Sequence, residues 1–271
     1  MTARDNEAES KRWNDEFWTS VWPRREQLTS VVTPMLLERA ALAPADHVVD
    51  IGSGGGTATV AAAAAVGPAG TVTGADISVA LVGLASQRAE EASTANVRFL
   101  VVDAQSARIE GAPFDAAISQ FGVMFFDEPV TAFTNIRAHV RPGGRLTFAC
   151  WQGLASNPWA VGPALAAILP PPPPPPPGKS PTGPFALADA DRTVELLTAA
   201  GWTDVSRTIH AVTATVARDA IIDDAQLSFL GVPADRVAEA RAAVEAHLAP
   251  LHRADGNYDA PLAFQIFTAT A

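Results

Sequence analysis

The sequence predicts an α/β protein built on a mostly parallel sheet with both faces covered. Three observations carry that prediction. Between residues 47 and 151, short apolar runs alternate with helix-forming runs. The apolar runs are nearly unbroken, as strands buried on both faces are. A glycine-rich turn follows the first run, where folds of this kind bring bare backbone against a ligand.

In order, residues 10–42 read as helices. Asp15, Phe17, Trp18, Val21 and Trp22 mix charge with aromatics, and Pro34 to Leu42 continues with helix formers until Pro44-Ala-Asp46 breaks the pattern. Strands are predicted at 48–51, 71–76, 97–102, 114–119 and 145–151. Helices are predicted at 57–66, 79–92 and 128–140, the last stopped by Arg-Pro-Gly-Gly at 141–144. His139, near the end of that helix, reads as a C-terminal cation. The run Pro170 to Pro177 follows; it cannot enter a helix or a sheet interior and reads as a spacer. A helix at 189–200, one or two strands over 203–216, a helical stretch at 219–249 and a strand at 262–270 complete the chain. The expected division is a helical lid (1–42), a core (43–151), a proline-rich insertion (152–185) and a C-terminal part that completes the sheet and caps the substrate (186–271).

Composition narrows the function. The chain has 271 residues, is 48% hydrophobic and carries a formal net charge of −10, with lysine only at positions 11 and 179. Nucleic acids and anionic membranes are read by clustered Lys and Arg, so both are poor partners for this chain. Cys150 is the single cysteine, excludes an internal disulfide and reads as a buried apolar residue. No metal-ligand spacing is visible. The charged N-terminus lacks an apolar signal core and no apolar run reaches membrane-spanning length, so the expectation is a cytoplasmic protein.

Chemistry concentrates in His47–Val66, HVVDIGSGGGTATVAAAAAV. Alone, a glycine-rich turn is weak evidence, because tight turns need glycine anyway. Here the turn follows Asp50, and the offsets of Gly52, Gly54 and Gly56 misfit the dinucleotide fingerprint G-x-G-x-x-G. A carboxylate before the turn suits a ligand with a positive or donor group, such as an ammonium. Asp76 ends the second strand candidate about 20 residues beyond the turn, where an acid holds ribose hydroxyls in nucleotide-binding sheets. Asp103 ends the third, in FLVVDAQ, where a carboxylate beside the Ala104 backbone can accept from an exocyclic amine.

The successive segments VVDIGSGGG, GADIS, VVDAQ, FDAAISQFGVMFF and RPGGRL resemble, in order, the motifs of class I S-adenosylmethionine-dependent methyltransferases, closest in flavour to the ubiquinone and menaquinone C-methylating branch. The resemblance covers about residues 45–151. It implies a Rossmann-like sheet of seven strands with the last antiparallel, and S-adenosylmethionine as cofactor with S-adenosylhomocysteine as product. It further implies that Asp50, Gly52, Ser53 and Gly54 lie along the methionine part, Asp76 and Ile77 at the ribose, Asp103 and Ala104 at the adenine, and Ser119 and Gln120 beside the methyl donor. Trp13, Asn14, Trp18 and Trp22 are candidates for a lid over the cofactor, with hydrophobic packing as the competing reading. The proline run and the cap regions match no family motif.

The acceptor pocket is expected from Phe121, Met124, Phe125, Trp151 and Trp159, with Phe126 and Phe185 nearby. Such a lining favours a small hydrophobic or aromatic metabolite. No catalytic base is assigned: His47, His210, His247, His252 and Tyr258 each read more simply as structural. The alternative function is a protein of the same fold that binds S-adenosylmethionine without transferring methyl. A homodimer through the C-terminal helices is a further expectation.

Overall fold

Each apolar run of the sequence becomes a strand of one sheet. The computed structural model describes residues 6–171 and 173–271; residues 1–5 of the expected lid and Pro172 of the proline run lie outside them. The chain begins with α1 (Glu7–Trp13), α2 (Glu16–Thr29) and α3 (Thr33–Ala40). It continues as β1 (His47–Ile51), α4 (Thr57–Val66), β2 (Thr71–Asp76), α5 (Val79–Glu91), β3 (Val97–Val101), β4 (Phe114–Gln120), α6 (Pro129–His139) and β5 (Val140–Trp151). The last third holds α7 (Gly162–Leu165), α8 (Ala190–Ala199), β6 (Thr203–Val216), α9 (Arg218–Ile221), α10 (Asp224–Phe229), α11 (Val237–Leu248) and β7 (Tyr258–Thr270).

The seven strands pair in the order β3-β2-β1-β4-β5-β7-β6. Pairs among β1 to β5 are parallel, and β7 runs antiparallel to both neighbours. The sheet is therefore mostly parallel and Rossmann-like, with the last strand reversed. The C-terminal part supplies β6 and β7 to the same sheet as the core.

Strand geometry divides the side chains between two faces, because successive residues point opposite ways. Val48 packs with Val72, Ala116 and Ile118 against Ala62, Ala63 and Val66 of α4. Val49, Ile51 and Ala117 belong to the other cluster, with Phe133 and Ile136 of α6. Each fully buried Val, Ile or Phe in these layers contributes about 1.5–3 kcal/mol. The alanine run of α4 has little bulk, so the helix lies close to β1 and β2. Side-chain caps start α5 (Ser78 Oγ accepts from Leu81 N–H, 3.2 Å) and α8 (Asp189 accepts from Arg192 N–H, 3.1 Å).

Some expectations change. The fifth strand begins at Val140, before the Arg-Pro-Gly-Gly segment, with a register shift against β4 between Phe114 and Ala116. The stretch read as one helical region at 219–249 divides into α9, α10 and α11. His139 is no exposed helix-end cation. It is buried, its Nδ1 faces Asn135 O at 2.8 Å, and its Nε2 accepts from Ile109 N–H at 2.9 Å, the pattern of a neutral ring. Cys150 is a core residue, its thiol pushed up to about 12 by burial. The described prolines of the 170–177 run are outside helix and strand; just after them Lys179 pairs with Asp127 and Glu128 at 2.9 and 2.8 Å.

Candidate active site

A cavity of about 770 Å³ lies at the carboxyl ends of the central strands, within the range of about 300–1,000 Å³ usual for small-molecule sites. Strand order decides what lines it. Asp50 lies near the end of β1, Asp76 ends β2 and Asp103 follows β3, on one side of the sheet's centre; Phe121 follows β4 and Trp151 ends β5, on the other. The cavity thus passes from an acidic edge to an aromatic one. Asp50, Gly52, Ser53, Asp76, Ile77, Asp103, Ala104, Gln120 and Trp22 all line it, as do Phe121, Met124, Phe125, Trp151 and Trp159.

Gly54 and Ser119 do not line it. Gly54 donates its N–H to Asp76 Oδ2 at 2.8 Å, and its Cα is covered by the Trp22 indole. Ser119 is fully buried beneath the site: its Oγ–H donates to Ile51 O at 2.7 Å, and its Oγ accepts from Gly122 N–H at 3.2 Å. Both residues tie loops together.

The three acids differ in environment. Asp50 is buried, and its Oδ2 accepts from Thr59 Oγ–H at 2.7 Å while Oδ1 has no partner. Burial pushes its pKa up to about 7; the Thr59 bond opposes that shift and the Asp76 charge adds to it. Asp76 accepts from Ser78 N–H at 2.9 Å through Oδ1 as well as from Gly54, and burial raises its pKa against these bonds. Asp103 accepts from Gln105 N–H at 2.9 Å and from Asn6 N–H at 3.1 Å. A carboxylate offers about four lone-pair sites, so Asp76 and Asp103 keep acceptor capacity beyond these bonds.

The glycine turn is shaped by backbone and aromatic contacts. A Cβ on Gly52, where φ is +68°, would stand 2.7 Å from Gly122 Cα; a Cβ on Gly122 would stand 2.6 Å from Ile51 O. The turns after β1 and β4 therefore meet backbone to backbone. Trp22 lies flat enough on Gly54 and Gly55 that a methyl on either would collide with its ring. Its Nε1–H donates to Glu26 Oε1 at 2.8 Å, and Glu26 also accepts from Thr57 Oγ–H at 2.6 Å and pairs with Arg88.

The first helix closes over this edge. Asn14 grips the turn after β2 twice, donating from Nδ2 to Ile77 O at 3.2 Å and accepting Val79 N–H at Oδ1, 2.8 Å. Ser78 Oγ–H donates to Trp13 O at 2.7 Å. The Trp13 ring meets Trp18 at 4.4 Å and Phe125 edge-on at 4.9 Å. Glu9 accepts from Thr182 Oγ–H at 2.7 Å, linking the helix to the insertion.

Several lining residues escaped sequence reasoning: Asn6, Glu9, Arg12, Arg25 and Gly122. A lone glycine after Phe121 and two arginines among scattered charges give no signal in one dimension. Among the described residues, no histidine lines the cavity and no group of three or more His, Cys, Asp or Glu is placed to hold a metal. His210 stacks on Phe264 and His252 meets Tyr258 edge-on.

The buried, unpartnered Asp50 Oδ1 and Ser53 Oγ lie beneath the acidic edge, and both residues reach the cavity. With the Asp76 and Asp103 carboxylates, they fit a ligand rich in donors and bearing a cation, as an amino acid joined to a nucleoside is. Fold and sequence agree with this. Residues 48–144 match the family model of the methyltransferase domain.

Aklanonic acid methyltransferase of Streptomyces sp. strain C5 is 30% identical over 133 residues, covering 49% of this chain and 56% of that protein. Nocamycin O-methyltransferase of Saccharothrix syringae is 30% identical over 198 residues, covering 66% of each. A solved S-adenosylmethionine-dependent methyltransferase of Aquifex aeolicus superposes with a TM-score of 0.53 at 14% identity, covering 98% of this chain and 99% of that one, a likeness of fold. The first curated relatives are matched over 28–60% of their own length.

Proposed function

We propose that the chain is an S-adenosylmethionine-dependent methyltransferase acting on a small hydrophobic or aromatic metabolite. The single cavity that joins the acidic carboxyl edge to the aromatic wall carries the proposal, because donor and acceptor must share one space. The similarity to an aklanonic acid methyltransferase and a nocamycin O-methyltransferase supports it.

Asp76 and Ile77 would hold the ribose, Asp103 and Ala104 the adenine, and Asp50, Gly52 and Ser53 the amino-acid part. Bound there, the cofactor supplies an already activated methyl group. Trp22 and Trp13 exclude water from the acidic edge. Gln120 donates from Nε2 to Thr29 O at 3.2 Å and accepts Thr33 Oγ–H at 2.8 Å; it fixes α2 and α3 against the end of β4. Phe121 and Trp151 stack at 4.0 Å and form a flat wall for a planar acceptor.

The same proposal takes in the finer parts of the reading: nearness of the core to the quinone C-methylating branch, the division into lid, core, insertion and cap, a cytoplasmic location, and no nucleic-acid partner. The net charge of −10 supports the last. No helix among the described residues is long and apolar enough to cross a membrane. The proposal also includes a homodimer through the C-terminal helices. The test of activity is incubation with S-adenosylmethionine and a panel of phenols, enols and aromatic acids, read by mass spectrometry for S-adenosylhomocysteine. Acceptor-dependent formation is expected; cofactor binding with no turnover across the panel would favour the non-methylating alternative.

A further inference from the structure

Among the described residues two cations line the cavity, Arg12 and Arg25, and they are placed differently. Arg12 lies 3.7 Å from the Glu9 carboxylate and over the Phe125 ring. Arg25, on α2, has no carboxylate within ion-pair distance among the described residues. Its neighbour Arg24 takes both nearby acids, at 3.5 Å from Asp219 and 2.9 Å from Asp223. Arg25 instead spends one nitrogen on neutral partners: Nη1 donates to Ile221 O at 3.3 Å and to Gln226 Oε1 at 3.2 Å.

The remaining nitrogens matter most. Nε–H and the near N–H of Nη2 are parallel, and this edge of a guanidinium takes both oxygens of a carboxylate at once. In Arg25 that edge meets no acceptor among the described residues, and neither nitrogen is sealed in the protein. Gln226, whose Oε1 takes Arg25 Nη1, also lines the cavity and carries an amide donor. Around them the wall is apolar: Trp18, Leu28, Ile221, Phe229 and Leu230. Burial lowers the Arg25 pKa, with the Asp223 charge opposing that shift. A partly buried cation with its bidentate edge open costs free energy unless water or a ligand meets it.

Position assigns the ligand. Both partners of Arg25 come from the cap formed by α9 and α10, outside the methyltransferase domain at 48–144. The acids and glycines expected to hold the cofactor belong to that domain. Resting on the proposed methyltransferase reading, we infer that Arg25, with Gln226, anchors a carboxylate of the acceptor, so the substrate class is an aromatic or polycyclic carboxylic acid.

The test uses purified full-length protein saturated with S-adenosylhomocysteine, titrated with 2-naphthoate and with methyl 2-naphthoate. Binding of S-adenosylhomocysteine to the unmodified protein comes first; its failure counts against the methyltransferase reading itself. With that established, 2-naphthoate is expected to bind at least about tenfold more tightly than the ester, the scale of hydrogen bonds to a charged group. Arg25→Met should abolish the difference while S-adenosylhomocysteine affinity stays the same. Arg25→Lys keeps the charge without the fork and should lose most of the preference, which covers the case in which the Met variant does not fold. Equal affinities in the unmodified protein, or a preference that survives in either variant, would overturn the assignment. Loss of S-adenosylhomocysteine binding in folded Arg25→Met would also overturn it, by giving Arg25 to the cofactor's own carboxylate.

Discussion

Asp50 and Thr59 are joined across the glycine turn by a 2.7 Å hydrogen bond that leaves the second Asp50 oxygen buried and unpartnered. The last strand residue but one thereby grips the first helix after the turn, with one acceptor in reserve. Burial raises the Asp50 pKa to about 7, and the pH dependence follows. Between the usual carboxylate range and pH 7, the folded state keeps a proton that the unfolded chain has released. Stability contributed by this group is therefore full below the unfolded value and is lost as pH rises through about 7. Asp50→Asn should remove that slope. At pH 8 it is expected to be more stable than the parent by about 1–3 kcal/mol and at pH 4 to be equal to it, read by urea denaturation.

The same proton reports ligand binding. A cationic group brought against Asp50 favours the carboxylate, so S-adenosylhomocysteine binding near pH 7 should release protons. Titrations in two buffers of different ionisation enthalpy measure this. Release is expected in the parent and its absence in Asp50→Asn; equal values in both would remove Asp50 from the ligand.

Asp76 carries two duties, since it accepts from Gly54 and Ser78 and faces the cavity. Asp76→Ala should weaken S-adenosylhomocysteine binding by about 1.5–3 kcal/mol and also lower the melting temperature. Calorimetry with unchanged affinity would restrict Asp76 to its structural bonds.

Gly122→Ala tests the backbone contact between the turns after β1 and β4. Gly122 has φ −84°, so any residue suits its backbone, and the added methyl is the only disturbance. Overpacking of this kind costs about 1–3 kcal/mol, and the displaced Gly52–Ser53 segment should lower cofactor affinity as well. Normal stability and affinity in this variant would show that the turns part freely.

Asn14→Ala removes two of the three bonds described between the first helical segment and the turn after β2, leaving Ser78 Oγ–H to Trp13 O. The expected result is faster release of S-adenosylhomocysteine in stopped flow, with little change in melting temperature, because the segment contributes few core residues. An unchanged off-rate would mean that the segment does not gate the site.

Much of this was legible in one dimension. The strands at 71–76 and the helix at 57–66 stand where apolar runs and Gly-Pro punctuation put them. The three acids reach the cavity because a parallel strand ends where its ligand edge begins. What escaped depends on partners distant in sequence. Gly54 and Gly55 look like a ligand cradle, but their missing side chains make room for Trp22. Ser119 looks like a strand-end site residue, yet its hydroxyl turns down to Ile51. Arg24 and Arg25 are neighbours of one type, and only the placement of Asp219 and Asp223 separates the paired one from the one facing the cavity.

The most direct measurement is isothermal titration of the purified protein with S-adenosylhomocysteine and, in parallel, with NAD(H). The proposed function predicts micromolar binding of S-adenosylhomocysteine and none of the nicotinamide cofactor. Binding of NAD(H), or no binding of S-adenosylhomocysteine, would contradict it.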